Sequence, residues 1–155
     1  MTTTVQLPVR SFEGRLPVAT PLEAGDHLDQ PTFHALYQQM PPGIKAELIG
    51  GIVYMPSPVT DYHAQPGADL LCCLGVYRGH TPNVRTSDNG TTILGDDSEP
   101  QPDAFMRLNV GGRTQLNVDG YVVGCPEMVC EISNSSVSCD LHAKLRDYER
   151  YGALE

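Results

Sequence analysis

No apolar run in this 155-residue sequence reaches the roughly 18 residues that a membrane-spanning helix needs, and the opening MTTTVQLPVR lacks the apolar core of a secretory signal. The expected location is therefore cytoplasmic, with no membrane partner. Paired cysteine spacing is missing as well. Cys72, Cys73, Cys125, Cys130 and Cys139 are odd in number and unevenly placed, which favours reduced thiols over a disulfide framework. The glycine-rich dinucleotide loop, the Walker loop, HExxH and GxSxG are all absent, as are internal repeats and low-complexity tracts. Basic side chains are scarce, ten Lys and Arg against nineteen Asp and Glu, and the net charge of -9 opposes nonspecific attraction to a polyphosphate. A nucleic-acid role then needs either a divalent cation on a carboxylate cluster or the few basic side chains gathered on one face. What is present, 40% hydrophobic and 19% charged residues, is ordinary for a globular chain of one compact domain.

Residues 1–26 hold three prolines and two glycines without periodicity, so 1–27 reads as an extended arm and 28–155 as the domain. Pro31 to Met40 predicts a short helix, with Phe33, Leu36, Tyr37 and Met40 at helical spacing. AELIGGIVYM (46–55) predicts a hairpin turning at Gly50-Gly51. Ala64 to Arg78 predicts a helix with a stripe of Leu70, Leu71, Leu74 and Tyr77, and Pro66 is tolerable only in its first turn. Residues 91–94, 103–110 and 128–133 read as strands, the last two joined by a glycine-rich excursion. Ser138 to Tyr151 reads as a helix, with Asp140 near its start and Gly152 as its C-terminal cap.

The strand at 128–133 alternates Met128, Cys130 and Ile132 with Val129, Glu131 and Ser133, which sets Glu131 in mid-strand among apolar neighbours. An isolated buried carboxylate there costs several kcal/mol or more, so it calls for a cation or a metal. The helix that follows offers one. With Leu141 at zero, Leu145, Tyr148, Tyr151 and Lys144 lie at about 40°, 340°, 280° and 300°, so Lys144 falls inside the apolar arc. The alternative is a Lys144 stem that runs along apolar surface to solvent. Asp103 opens the preceding strand, and two carboxylates with an ammonium make a divalent-metal site with a group to orient water. A Pro-Asp by itself also begins strands and turns.

EPQPDA followed by GYVVGCPEMVCEISNSSVSCDLHAKLRDYERYG resembles the Uma-two restriction-endonuclease family, a branch of the PD-(D/E)XK nucleases. AELIGGIVYMPSP and DYHAQPGADLL extend the resemblance over most of the chain. It implies an α/β fold with a restriction-endonuclease-like core, a mixed sheet flanked by helices. Pro102-Asp103 and Glu131 match the superfamily pattern, while Ser133 stands where its lysine would be, so the lysine role passes to Lys144. Gly50 replaces an aspartate usual in the family, and relatives continue past YGALE into a further core strand, so the expected domain lacks that strand.

The expected activity is Mg²⁺-dependent hydrolysis of a phosphodiester, with Mn²⁺ as the other candidate ion. Asp103, Glu131 and Lys144 are the catalytic residues, and the metal is held by Asp103, Glu131, the Ile132 carbonyl and Glu47. Glu47 is otherwise a solvated strand-end glutamate, and His63 is either a contact to phosphate or to a metal-bound water, or a structural hydrogen-bonding residue. The expected partner is nucleic acid, in the form of DNA, with a homodimer among the assemblies allowed. A rival reading is a nuclease-fold remnant that binds without cutting. Another is a zinc domain on Cys125, Cys130, Cys139 and His142, which lacks the paired ligand spacing of zinc sites.

Overall fold

Pro31 fixes the first turn of α1 (Gln30–Tyr37), and Asp29 caps it by accepting from the Thr32 N–H at 2.9 Å. The computed structural model describes residues 21–133 and 139–154, without the side chains of 139–141. The helix ends three residues short of Met40 and buries Phe33 and Leu36. Both pack against the hairpin of β1 (Glu47–Ile49) and β2 (Ile52–Tyr54) through Leu48 and Val53. Gly50 and Gly51 turn at φ +55° and +78°, the doubly positive pair of a two-residue hairpin turn that only glycine adopts freely. Packing begins upstream of Leu28: Leu22 is buried in the same cluster, and the Gly25 N–H donates to the Val53 carbonyl at 2.8 Å. Residues 1–20 of the expected arm lie outside the described residues.

Helix α2 (Asp61–His80) begins three residues earlier than the sequence predicts, which places Pro66 in its second turn. The carbonyl that Pro66 cannot bond belongs to Tyr62, which is 86% exposed and open to water. Leu74 is the buried member of the predicted stripe, and Tyr77 is exposed. The helix lies against an antiparallel sheet of order β3 (Val84–Asp88), β5 (Ala104–Leu108), β8 (Met128–Cys130). Strand β3, VRTSD, lacks an apolar alternation and is not foreseen from the sequence. A smaller mixed sheet joins β4 (Thr92–Ile93) in parallel to β7 (Val122–Val123), which pairs antiparallel with β6 (Gln115–Leu116). The last two strands arise inside the predicted glycine-rich excursion.

The final helix opens with a wide π-type segment (Cys139–Lys144) and continues as α3 (Leu145–Tyr151), ended by Gly152 at φ +88°. The expected start at Ser138 and the side chain of Asp140 lie outside the described residues. Arg150 and Tyr151 reach Asp97, and Asp147 reaches Ser98, so α3 is tied to the loop between β4 and β5. The Leu48–Glu99 bridge ties that loop in turn to β1.

Candidate active site

Asp103 immediately precedes β5 and Glu131 immediately follows β8. The register Ala104 opposite Cys130 therefore continues to Asp103 opposite Glu131. This corrects the mid-strand position expected of Glu131: regular pairing stops at Cys130, and Glu131 lies one residue beyond it. The site thus forms where two antiparallel strands end together, and side chains from other elements can enter.

Lys144 comes in from the last helix, 6% exposed, with Nζ 2.9 Å from Glu47 Oε1 and 3.1 Å from Glu131 Oε1. The inward direction read from the helical wheel holds for Lys144, for the buried Tyr148 and for the exposed Arg146, Glu149 and Arg150. It fails for Leu145, which is 46% exposed. The π-type segment adds about one residue per turn and shifts the phase of the wheel there.

Glu47, at the start of β1, is buried, so the solvated alternative does not hold. Its Oε1 also accepts the Gln101 N–H at 2.6 Å. Glu131 Oε1 takes a second donor, the Tyr148 hydroxyl at 2.6 Å. Asp103 Oδ2 accepts from the Ile132 N–H at 2.7 Å and pairs with His63 Nε2 at 3.1 Å. The main-chain contact of Ile132 in the site is thus made by its N–H. His63 stands in the first turn of α2 and joins the cluster through Asp103.

One ammonium faces two carboxylates. Burial by itself would lower the Lys144 pKa, but Glu47 and Glu131 more than reverse this and hold it above the ordinary lysine value. Burial pushes Glu131 up to about 7, against the pull of Lys144 and Tyr148 and with the help of Glu47 and Asp103. The Tyr148 hydroxyl is raised well above its ordinary value by burial and by the neighbouring Glu131, so it acts as a donor.

The chemistry of these donors fits a hard divalent cation. The two contacts given above for each of Glu47, Asp103 and Glu131 fall on a single oxygen, and carboxylate oxygens are the ligands such an ion takes. The three are not drawn together, however. Among the described residues no three His, Cys, Asp or Glu side chains stand at metal-ligand spacing. The zinc alternative meets the same finding, with Cys125 buried, Cys130 partly buried and the Cys139 side chain outside the described residues.

The sequence pattern marks Asp103, Glu131, Lys144 and Glu47 but neither Gln101 nor the hydroxyl role of Tyr148. An apolar-arc argument ranks Tyr148 as core and is blind to its O–H. Gln101 binds through its main chain, which carries no side-chain signal.

A family model, "Uma2: Putative restriction endonuclease", matches residues 31–155. No curated protein matches. Among solved structures the chain is similar to a putative nuclease belonging to DUF820 from Anabaena variabilis ATCC 29413. The identity is 14% and the TM-score 0.57, over 77% of this chain and 68% of that one. At that identity the likeness shows the fold, a mixed α/β architecture with sheets flanked by helices. Among the described residues no helix is long and apolar enough to cross a membrane.

Proposed function

The chain belongs to the Uma2 family of putative restriction endonucleases, and from that premise we propose that it is a Mg²⁺-dependent endonuclease whose catalytic residues are Asp103, Glu131 and Lys144. The observation that carries this reading is the buried Lys144 ammonium at 2.9 and 3.1 Å from two carboxylates, beside an aspartate placed opposite one of them by strand register. Asp103 and Glu131, with Glu47 and the Ile132 carbonyl, would hold the ion. Bound there, Mg²⁺, or Mn²⁺ in its place, supplies positive charge for the phosphate and acidifies water.

The protein's own residues do the rest. His63 and the Ile132 N–H fix the rotamer of Asp103, while Tyr148 and Lys144 fix that of Glu131. Lys144 orients the attacking water and stabilises the negative charge that grows on the phosphate oxygens. The water oxygen forms the new bond to phosphorus and loses a proton to bulk water, while the bond to one ester oxygen breaks and that oxygen leaves with a proton taken from bulk water. DNA is the expected nucleic acid. One such site cuts one strand, so scission of both strands of a duplex is the role for a homodimer. A cytoplasmic location belongs to the same reading.

The test is cleavage of plasmid DNA and of a structured RNA with and without Mg²⁺. Wild-type protein is expected to cut only with the ion, and Asp103→Asn to lose the activity while staying folded. Equal cleavage by Asp103→Asn would overturn the assignment.

A further inference from the structure

Two arginines face each other across the sheet that ends in Asp103 and Glu131. Arg85 on β3 stands opposite Arg107 on β5 in the antiparallel register. Their side chains therefore leave the same face, with Cβ atoms about 5 Å apart, a placement that destabilises a sheet when the charges are alike. The opposite charge in register with the pair is Glu127, on the other side of Arg107. Among the described residues Lys144 and Arg150 make the Lys and Arg ion pairs, whereas Lys45 donates to Asn89, Arg78 to Thr86 and Arg113 to the Gly152 carbonyl. Glu127, next to Arg107 by continuation of the β5–β8 register, gives its two oxygens to the main-chain N–H groups of Leu108 and Arg113, both at 3.0 Å. Arg107 Nε is buried and has no hydrogen-bond partner, a state that costs stability. Arg85 is exposed. In a chain of net charge -9, two guanidinium groups set against one carboxylate leave a net positive charge at this point of the sheet.

We infer that Arg85 and Arg107 form a clamp for a non-scissile backbone phosphate of a nucleic-acid strand, the strand's identity as substrate resting on the nuclease reading above. A phosphate is doubly useful here, since it offsets the repulsion between the guanidinium groups and offers Arg107 an acceptor that the protein does not. Arg107 lies four residues from Asp103 along β5, about 13 Å at the strand rise, or about four nucleotide steps of a duplex at 3.4 Å each. The contact is to the backbone and reads no base, so it favours DNA and RNA strands alike and confers affinity without sequence preference.

The experiment is fluorescence anisotropy of a fluorescein-labelled 20-base-pair duplex of mixed sequence, as DNA and as RNA in separate arms. The protein is in EDTA so that nothing is cut, and the salt concentration is varied. The double variant Arg85→Gln/Arg107→Gln is expected to bind at least tenfold more weakly in whichever arm the wild type binds, with a salt slope shallower by about 1 to 2. Its melting temperature without nucleic acid is expected to stay level or rise, because a like-charge pair is gone. Arg85→Glu converts the pair into an ion pair in register, so it is expected to melt higher than wild type and to bind as weakly as the double variant. Unchanged affinity and slope in the double variant would overturn the clamp, as would a wild type that binds neither duplex, or variants whose weaker binding comes with a lower melting temperature. The two readings fail separately. Cleavage that depends on Asp103 alongside unchanged binding by the arginine variants removes only the clamp. Binding lost with the arginines in a protein that never cuts removes only the nuclease.

Discussion

Lys144 is one of two lysines in the chain, and what it does depends on having two acceptors. Lys144→Met keeps the stem and removes the charge, so turnover is expected to vanish with little loss of Mg²⁺ affinity, because an ammonium is no ligand for the ion. Single-turnover cleavage and calorimetric Mg²⁺ titration check the two halves. Ser133 follows Glu131 by two residues and is exposed, so adding Ser133→Lys to that variant is expected to restore part of the rate from the strand side. Glu131 carries a second residue-scale prediction. Its folded value of about 7 lies above the ordinary 4.5, so the folded state binds this proton more tightly than the unfolded chain. The stability it contributes is full below about pH 4.5, falls as the pH rises through 7 and is gone above that. In metal-free buffer the melting temperature of the wild type is expected to decline relative to Glu131→Gln between pH 4.5 and 7.5, measured by thermal denaturation. A difference that stays constant across that range would contradict the assignment.

Among the elements, α3 is the one that holds the site together, since Lys144 and Tyr148 stand on it or at its start. Asp147 anchors it: Oδ2 accepts the Gly50 N–H at 2.9 Å in the hairpin turn and the hydroxyl of the fully buried Ser98 at 2.5 Å. Asp147→Ala leaves the buried Ser98 hydroxyl without that partner, at about 1–3 kcal/mol, and returns the Gly50 N–H of an exposed turn to water. A fall of roughly 5–10 °C in melting temperature is expected, at the scale of 2–4 °C per kcal/mol for a chain of this size. Gly95 makes the complementary point. A Cβ there would meet the Tyr151 ring at 2.5 Å, and that ring both lies under the Arg150 guanidinium and donates to Asp97 at 2.7 Å. Gly95→Ala is therefore expected to lower stability by about 1–3 kcal/mol through displacement of the helix end, as read from urea midpoints.

At the scale of the whole molecule, the net charge of -9 sets the terms on which a nucleic acid approaches. The carboxylates of the site repel one another in the free protein, so an ion that binds them stabilises the fold. Millimolar Mg²⁺ is expected to raise the melting temperature of the wild type, by about 2.7 kcal/mol of stability at one hundred times its dissociation constant. The rise is expected to disappear in Asp103→Asn, and differential scanning fluorimetry at several Mg²⁺ concentrations measures both.

The hairpin, the two main strands of the larger sheet and the final helix are legible in the sequence because each is specified locally. Gly50-Gly51 demands its turn whatever packs around it, alternation over 103–110 and 128–133 marks two strands, and Gly152 ends a helix by its own conformational freedom. The inward placement of Lys144 is legible for the same reason, being a matter of helical phase, and so is the pairing of a strand-end aspartate with a glutamate one strand away. Tertiary structure alone decided the rest. Strand β3 exists because β5 supplies its hydrogen bonds, and its polar sequence VRTSD shows no alternation of its own. The partners Glu47, Tyr148 and Gln101 come from a hairpin, a helix and a loop whose mutual distances no local pattern encodes. The opposition of Arg85 and Arg107 is a fact of register between strands that are 22 positions apart in the chain. Local conformation follows from each residue and its few neighbours, whereas charge pairing at a site depends on which strand ends the long-range hydrogen bonds bring together.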